Sequence, residues 1–411
     1  MAWSHRMLLP LVVAFIAGCG APEAGPPVLK LATWFGSTEA KELTPIVAAI
    51  NARHAKEFRI EAIPIPGEYL PKIDTMMAGK LAPDLFLLSQ EYLPSYAAIG
   101  AVLDLDAKIK ADPRIDLPDY YPAGLSTARF KGHLYGLPWV MMPVVLYYNR
   151  TIFDKAKLAY PDPSWDWARF RTAAKQLTVR DAAGNASQWG FLQSTWPPYM
   201  IWVWQNGGDV LSADGLHPTL TQPATIEALT YEHQLLVEDQ VSPPAGTIIQ
   251  NGASEMFKSG RIGMFFGGAS DDLDRAEGMQ VGVTELPHGK QRATFSWTAH
   301  MVISSQTKHP DEAYVAWGEL LDGLHHWKIV PPRRSLAKDL AKLEPRKAGA
   351  AGPILASMEY ARGLQGVVPQ TDWDDFALNR LILPLVSGRA GAKEAAETTQ
   401  AKLERLMETT R

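Results

Sequence analysis

Hydrophobic and polar residues alternate with a period of two at residues 29–34, which is typical of a β-strand. Downstream the period becomes helical, with apolar side chains at Leu43, Val47 and Ile50. The succession of strand and helix continues, and Gly79 follows the second helical stretch as a C-terminal cap. Strands that alternate with helices of this length predict a parallel sheet with helices on both faces. The predicted strands are 29–34, 58–65 and 85–88, and the predicted helices are 39–54 and 69–78.

A long apolar stretch between Tyr135 and Arg150 has a proline near its centre. Residues 144–148 are β-branched and aromatic, as expected of a buried strand. Pro143 has no N–H group to donate to a neighbouring strand. We therefore predict that the chain leaves one sheet and enters another at Pro143, which would make the stretch a hinge. The alternative is one ordinary strand with an edge proline.

The second half of the chain repeats the succession of strands and helices. An aromatic segment at 198–205 precedes a turn of asparagine, glycine and aspartate at 206–209. Within that segment Trp202 and Trp204 alternate with apolar neighbours, so we assign both rings to the core. Residues 294–304 are a second candidate for a strand that crosses between sheets. The predicted strands here are 188–192, 260–266 and 294–304, and the predicted helices are 165–177, 224–238, 311–321 and 392–407.

The composition is that of a folded protein with room for two large domains. The chain has 411 residues, of which 46% are hydrophobic and 20% are charged. A formal net charge of -4 and a pI of about 6.2 offer no basic surface to a polyanion, so nucleic-acid binding is disfavoured. Cys19 is the single cysteine of the sequence, which excludes an internal disulfide.

The beginning of the chain has the pattern of an export signal. Arg6 precedes about a dozen apolar residues, a run too short to span a bilayer. The run ends in Ile-Ala-Gly-Cys at 16–19, which resembles the lipobox of bacterial lipoproteins and implies acylation of Cys19. We therefore expect a signal peptide at 1–18, a lipidated tether at 19–28, and an exported cell-envelope lipoprotein that faces the periplasm or the cell exterior. The alternative is an incidental cysteine after a plain signal peptide.

Short segments spread from residue 29 to the C-terminus resemble, in order, the landmarks of one protein family. They include Lys-Leu-Ala-Pro-Asp-Leu at 80–85, Tyr-Gly-Leu-Pro-Trp at 135–139 and Asn-Gly-Gly at 206–208. Each segment is weak alone, but their order behind a lipobox is specific. The chain is therefore similar to the extracellular solute-binding proteins of bacterial ABC importers, in particular the sugar-binding family that includes maltose-binding protein. The remaining matching segments are 148–153, 164–166, 257–264, 287–289, 304–313, 369–370 and 387–389.

The resemblance implies an α/β, two-lobe periplasmic-binding-protein fold of type II, in which crossover hinge segments join the lobes around a ligand cleft. The N-terminal lobe would comprise 29–141 plus 299–334, and the C-terminal lobe 143–297 plus 338–411. The resemblance also implies a monomer without metal or cofactor. Such a protein would close around a small-molecule sugar and deliver it to the transmembrane permease of an ABC transporter.

The candidate ligand-binding residues are aromatic and polar side chains near the ends of predicted strands. A neutral sugar offers apolar C–H faces, which aromatic rings cover, and hydroxyl groups, which charged and amide side chains bind. Ligands of α/β sheets bind outside the carboxyl ends of the strands. The alternative for each tryptophan is packing in the core. The candidates are Trp34, Phe35, Gln90, Glu91, Trp139, Trp196, Trp297, His300, Arg334, Trp373 and Asp375.

Two departures from the family pattern argue against maltose itself as the ligand. The turn at 267–271 lacks the tryptophan that relatives often carry, and Met142 stands where maltose-binding relatives carry an acid. The resemblance therefore favours a different or larger glycan, a di- or oligosaccharide. The second candidate is glycerol 3-phosphate or another polyol phosphate, which would need a cation from Arg334 or His300.

Two other classes of function remain as alternatives. A glycan-processing enzyme needs two carboxylates across one bond, whereas Asp271 and Asp272, like Asp374 and Asp375, are adjacent on one element and point apart. We therefore predict that the protein is not an enzyme. A structural surface lipoprotein is the other alternative. Turnover of a sugar would identify the enzyme, and the lack of any stabilisation by ligands would identify the structural lipoprotein.

Overall fold

The computed structural model describes residues 25–193, 200–212, 215, 217–271, 273–327, 330–363 and 375–409. The predicted signal peptide, Cys19, Trp196 and Trp373 lie outside these residues, as does the side chain of Asp375. Among the helices of the described ranges, none combines the length and the apolar character that crossing a membrane requires.

The described residues alternate between strands and helices along most of the chain. The strands are β1 (Val28–Thr33), β2 (Arg59–Pro64), β3 (Leu85–Ser89), β4 (Arg129–Phe130), β5 (His133–Leu134), β6 (Gly136–Asn149), β7 (Val179–Arg180), β8 (Ala186–Leu192), β9 (Ile262–Gly268), β10 (Val281–Thr284), β11 (Thr294–Ile303) and β12 (Ala361–Arg362). The α-helices are α1 (Ser37–Arg53), α2 (Tyr69–Ala78), α3 (Leu93–Ala98), α4 (Asp106–Ala111), α5 (Pro122–Thr127), α6 (Arg150–Ala156), α7 (Trp167–Leu177), α8 (Met200–Gln205), α9 (Pro223–His233), α10 (Ala245–Asn251), α11 (Ala253–Met256), α12 (Pro310–His325), α13 (Arg334–Ala337), α14 (Leu340–Leu343), α15 (Ala351–Glu359), α16 (Leu383–Val386) and α17 (Ala392–Thr409). Short 3-10 turns occupy Leu117–Asp119, Leu273–Arg275 and Pro345–Lys347, and π-helical segments occupy Gln234–Glu238, Phe257–Arg261 and Asp375–Ile382.

The first three strands form the parallel sheet that the sequence predicts. β1 pairs in parallel with β2 on one side and with β3 on the other. Within β1, Leu29 and Leu31 are buried, whereas Val28 and Lys30 are exposed, as their alternation predicts. β11 pairs antiparallel with β3, and β6 pairs antiparallel with β11. The resulting order, β2-β1-β3-β11-β6, puts two long antiparallel strands beside the parallel set.

β6 is one unbroken strand that changes partners at Pro143. The part from Gly136 to Pro143 pairs with β11, and the part from Val144 to Tyr148 pairs with β9. The proline therefore stands where the strand passes from one set of neighbours to the other. The hydrogen-bonded path continues through β6, so ten of the described strands form one sheet, and β4 and β5 form a separate two-stranded sheet. The prediction that the chain leaves one sheet and enters another at Pro143 is therefore wrong.

The second group of strands is built around β9, which pairs antiparallel with β6 and in parallel with β8. Helix α7 packs directly on β8 at Gly190. A Cβ atom at this position would lie only 1.8 Å from the carbonyl oxygen of Ala174, which shows how closely the two backbones approach. The Asp166 side chain caps α7 by accepting the backbone N–H of Arg169 at 2.8 Å. Glycine at position 190 is therefore required for this contact between helix and sheet.

Separate hydrophobic cores lie on the two sides of Pro143, the residue at which β6 changes partners. Trp317 belongs to the core that packs on the first strands, and Trp202 belongs to the core that packs on β8 and β9. Trp297, on β11, packs against both cores. This arrangement is the one expected of two lobes joined by crossing strands. The exact lobe boundaries stay a prediction.

Candidate ligand-binding site

Three tryptophan rings meet where β6 and β11 pair with each other. One ring directly follows β1, one lies on β6, and one lies on β11. The ring centroid of Trp34, just after β1, lies 6.2 Å from that of Trp139 on β6 and 6.1 Å from that of Trp297 on β11. Trp34 and Trp297 are partly buried, so each ring keeps some accessible surface. The structure thus brings three of the candidate aromatic residues into one cluster.

Trp139, a member of the cluster, and Phe35, a further aromatic candidate, are both buried and pack against each other. Trp139 and Phe35 are 5% and 1% exposed, and their ring centroids lie 5.5 Å apart in an edge-on contact. Phe35 also packs edge-on against Trp327 at 5.2 Å. In this conformation both residues hold the accessible rings in place and present little surface of their own.

Gln90 links the end of β3 to β11 and is almost fully buried. Its backbone N–H donates to the carbonyl oxygen of Thr298 at 2.9 Å, and its side-chain Nε2 donates to that of Ser296 at 3.3 Å. Gln90 Oε1, Trp139 Nε1 and Thr298 Oγ1 are buried polar atoms without a hydrogen-bond partner among the described residues. An unpaired buried polar atom is costly, so these atoms leave hydrogen-bonding capacity beside the cluster that no described residue uses.

His300 lies inside the protein rather than at an accessible surface. Its side chain is fully buried, with Nε2 at 3.1 Å from Thr127 Oγ1 and 3.3 Å from the carbonyl oxygen of Gly124. Burial lowers the pKa of the imidazole from its ordinary value of 6.5 to about 4, against a smaller opposite effect of the hydrogen bond to Gly124. His300 is therefore a neutral ring that ties β11 to α5.

Arg334, the candidate cation, is already engaged by other side chains. Arg334 begins α13, and its Nη1 lies 2.9 Å from each carboxylate oxygen of Glu359. The guanidinium also stacks on the ring of Tyr121 at 4.5 Å. Its charge is thus already compensated. Glu91 follows β3 and is partly buried.

A cavity of about 630 Å³ is lined by residues of α5, of α8, of the segment that follows α8, and of β12. This volume is within the usual range for small-molecule sites. The cavity is lined by Pro122, Ala123, Ser126, Met200, Trp204, Asp209, Val210, Leu211, Ser212, Gly215, Thr219, Gln222, Ala361, Arg362 and Gly363.

Gly363 connects the cavity to Gln90. A Cβ atom at position 363 would lie 2.1 Å from Thr127 Cγ2 and 2.7 Å from Gln90 Oε1. The backbone at the end of β12 therefore approaches α5 and the end of β3 more closely than any side chain allows. Gly363 itself is one of the residues that line the cavity.

A charged pair stacks on an aromatic ring at the cavity wall. Asp209 Oδ1 accepts the indole N–H of Trp204 at 3.0 Å, and Oδ2 pairs with the guanidinium of Arg362. The Arg362 guanidinium lies 4.6 Å from the centroid of the Trp204 ring. The three side chains form a compact, net-neutral surface toward the cavity.

Four residues of the cavity wall were not among the candidates selected from the sequence: Trp204, Asp209, Arg362 and Gly363. Trp202 and Trp204 are both buried, as predicted, but the Trp204 ring also supports the charged pair. The glycine-rich turn that ends at Asp209 was a recognisable signal, although its aspartate was not selected. For Arg362 and Gly363 the sequence offers no signal, because their importance arises from the pairing of β12 with β11.

The family model of the bacterial extracellular solute-binding proteins matches residues 36–318 of this chain. The chain belongs to this family. The assignment confirms the resemblance found in the sequence and the prediction of a binding protein rather than an enzyme. The description of the family as extracellular also agrees with the predicted export.

Known structures of solute-binding proteins share the whole fold. An ABC substrate-binding protein from Listeria monocytogenes in complex with cycloalternan is 22% identical, with a TM-score of 0.76 over 93% of this chain and 99% of that chain. The cyclic alpha-maltosyl-1,6-maltose binding protein from Arthrobacter globiformis is 21% identical, with a TM-score of 0.78 over 94% of this chain and 100% of that chain. These likenesses confirm the predicted two-lobe solute-binding fold.

A relative with a different ligand is similar over part of the chain. The sn-glycerol-3-phosphate-binding periplasmic protein UgpB from Agrobacterium fabrum is 29% identical over 252 residues, which cover 56% of this chain and 54% of the relative. Both ligand classes considered from the sequence thus occur among proteins similar to this solute-binding protein.

Proposed function

We propose that this solute-binding protein captures an uncharged carbohydrate, a di- or oligosaccharide, and presents it to the permease of an ABC importer. The observation that carries the proposal is the meeting of Trp34, Trp139 and Trp297 at the crossing strands, beside buried polar atoms that lack partners. Partly accessible rings suit the C–H faces of a sugar, and the unpaired atoms suit its hydroxyl groups. The Listeria and Arthrobacter proteins, which bind cyclic saccharides, support this ligand class.

The second candidate ligand, glycerol 3-phosphate, is favoured by the similarity to UgpB. A phosphate needs an available cation. His300 is buried and its pKa is lowered, and Arg334 is paired with Glu359. The placement of these two residues therefore argues against the second candidate.

We infer that binding is coupled to hinge closure at the crossing strands. A ligand that touches both lobes stabilises the closed form by its higher affinity for that form. The closed form would then dock on the permease. The remaining parts of the proposal are that the protein acts as a monomer and that lipid on Cys19 holds it at the membrane.

A ligand screen tests the proposal directly. Thermal unfolding is measured with monosaccharides, disaccharides, linear and cyclic oligosaccharides, and glycerol 3-phosphate, and each positive result is followed by calorimetry. We expect a saccharide to bind with micromolar affinity, which corresponds to about 8 kcal/mol. Stabilisation by glycerol 3-phosphate alone would establish the second candidate. Stabilisation by no compound in the panel would contradict the carbohydrate proposal.

A further inference from the structure

The described lining of the cavity contains one anionic and one cationic side chain, Asp209 and Arg362, and they are paired with each other. Among the described lining residues, the others are apolar or uncharged. The net charge that the described wall presents to a ligand is therefore zero.

Both charges are held in place by the protein before any ligand arrives. Besides the indole of Trp204, Asp209 Oδ1 accepts the backbone N–H of Val210 at 2.8 Å. The Asp209 carbonyl oxygen accepts the hydroxyl groups of Thr219 and Thr225 at 2.8 and 3.0 Å. Arg362 is fixed from its own side by the pairing of β12 with β11. The pair is a prearranged feature of the wall and not a chance encounter of mobile side chains.

Three segments that adjoin the cavity wall along the chain supply no second cation, and the exposed His217, between Gly215 and Thr219, is not part of the described lining. Segments 194–199, 213–214 and 364–374, which adjoin lining residues along the chain, contain no lysine, arginine or histidine. They contain three aspartates, at 214, 372 and 374. Arg362 is thus the one cation available from the described lining and from these segments, and Asp209 neutralises it.

We propose that Asp209 determines the ligand class of the site by keeping Arg362 occupied, so that neutral polyols are accepted and anionic ligands are rejected. This inference rests on the proposed function. The remaining Arg362 N–H groups and Asp209 lone pairs can still exchange hydrogen bonds with sugar hydroxyls. A phosphate or carboxylate that bound these remaining N–H groups would lie beside the negative charge of Asp209, which repels it.

The deciding variant is Asp209→Asn, with glycerol 3-phosphate as the probe. Asparagine keeps an oxygen for Trp204 and Val210 but removes the negative charge, so Arg362 becomes free to bind the phosphate. We expect the affinity for glycerol 3-phosphate to rise by at least about tenfold over the wild type, and the gain to shrink at high ionic strength. If Asp209→Asn does not fold, as judged by its thermal transition, Asp209→Ser replaces it.

Two further variants make the outcome specific. Asp209→Asn combined with Arg362→Gln should lose the gain, because the freed cation is gone. Glu359→Gln frees Arg334 outside the cavity and should leave the affinity for glycerol 3-phosphate unchanged. An unchanged affinity in Asp209→Asn, or a gain that survives Arg362→Gln, overturns the inference. Neither result depends on whether the wild type binds a saccharide, which is the separate test of the proposed function.

Discussion

The ring centroid of Trp34 lies 6.1 Å from that of Trp297, and Trp297 packs against both hydrophobic cores. Trp34 directly follows the first strand, whereas Trp297 lies on β11, which contributes Phe295 to one core and Ala299 to the other. The contact therefore joins the carboxyl end of the parallel sheet to the region where the two halves meet. A ligand bound at these rings would touch parts of both.

Replacement of either accessible ring should weaken saccharide binding. We expect Trp34→Ala and Trp297→Ala each to lower the affinity by at least about tenfold, or about 1.4 kcal/mol, because each removes apolar surface that covers the sugar face. Calorimetric titration measures the effect. Trp189→Ala, which removes a partly buried ring on β8 outside this cluster, is the matched control. Equal affinities in all three variants would remove the cluster from the binding site.

A side chain at position 363 should disturb the wall of the cavity. In Gly363→Ala the new methyl group would meet Thr127 Cγ2 and Gln90 Oε1, so β12 must move away from α5. We expect weaker saccharide binding, by at least about threefold, with a folded protein, since one displaced contact costs a fraction of the stability. Gly349→Ala, at a glycine without neighbouring atoms within 4 Å, is the control and should bind normally. Normal binding by Gly363→Ala would show that this contact is irrelevant to the ligand.

Glu232 should make the protein less stable as the pH rises. The side chain is fully buried on α9, and neither carboxylate oxygen has a hydrogen-bond partner among the described residues. Burial raises the pKa of this carboxyl from its ordinary value of 4.5 to about 8. The native state thus retains a proton that the unfolded chain releases, and stability is lost as the pH rises from about 4.5 to about 8.

Glu232→Gln should remove this loss. We expect the variant to be more stable than the wild type at pH 8 by on the order of 1–3 kcal/mol, and the difference to shrink toward pH 4.5. Urea unfolding at several pH values provides the measurement. Glu227→Gln on the same helix, whose carboxylate is exposed and pairs with Lys290, serves as the control. A pH-independent difference for Glu232→Gln would contradict the buried, protonated carboxyl.

His300 should make the protein less stable as the pH falls, which is the opposite of the effect of Glu232. Because its pKa in the native state is about 4, below the ordinary 6.5, the unfolded chain takes up a proton first as the pH falls. Stability is therefore complete above about pH 6.5 and declines toward pH 4. We expect His300→Gln to lose less stability between these values than the wild type, by on the order of 1–3 kcal/mol.

The matched control for His300 is His326→Gln, which removes an exposed imidazole. His325, also fully buried with a pKa of about 4, remains in both variants and keeps part of the acid sensitivity. Parallel stability curves for the wild type and His300→Gln would show that His300 does not titrate as its burial predicts.

Local patterns predicted the elements of the fold well. The predictions of β1 and α1 rest on side chains that alternate between solvent and core. Those of β1 alternate with a period of two, and Leu43, Val47 and Ile50 have helical spacing. The change of partners at Pro143 could also be anticipated, because the missing N–H is a property of the residue itself, but the predicted passage into a separate sheet was wrong. The continuity of β6 was harder to foresee, since it depends on β9 and β11, which come much later in the chain.

The candidate site was only partly predictable. Trp34 and Trp297 could be selected because aromatic residues at strand ends are visible in the sequence. The burial of His300 could not be foreseen, since it results from the packing of α5 against β11. Asp209 and Arg362 lie far apart in the sequence, and only the tertiary structure shows that each neutralises the other.

The shared strand β6 has a consequence for any attempt to divide the protein. Without β6, strands in both halves lack a pairing partner. A chain cut near Pro143 would therefore leave both fragments with unpaired strand edges, which promote aggregation. Separately expressed halves should therefore be insoluble, whereas inserted domains belong in exposed loops remote from this strand. In this protein the segment proposed as the hinge is also the one whose pairing ties the two halves together in folding.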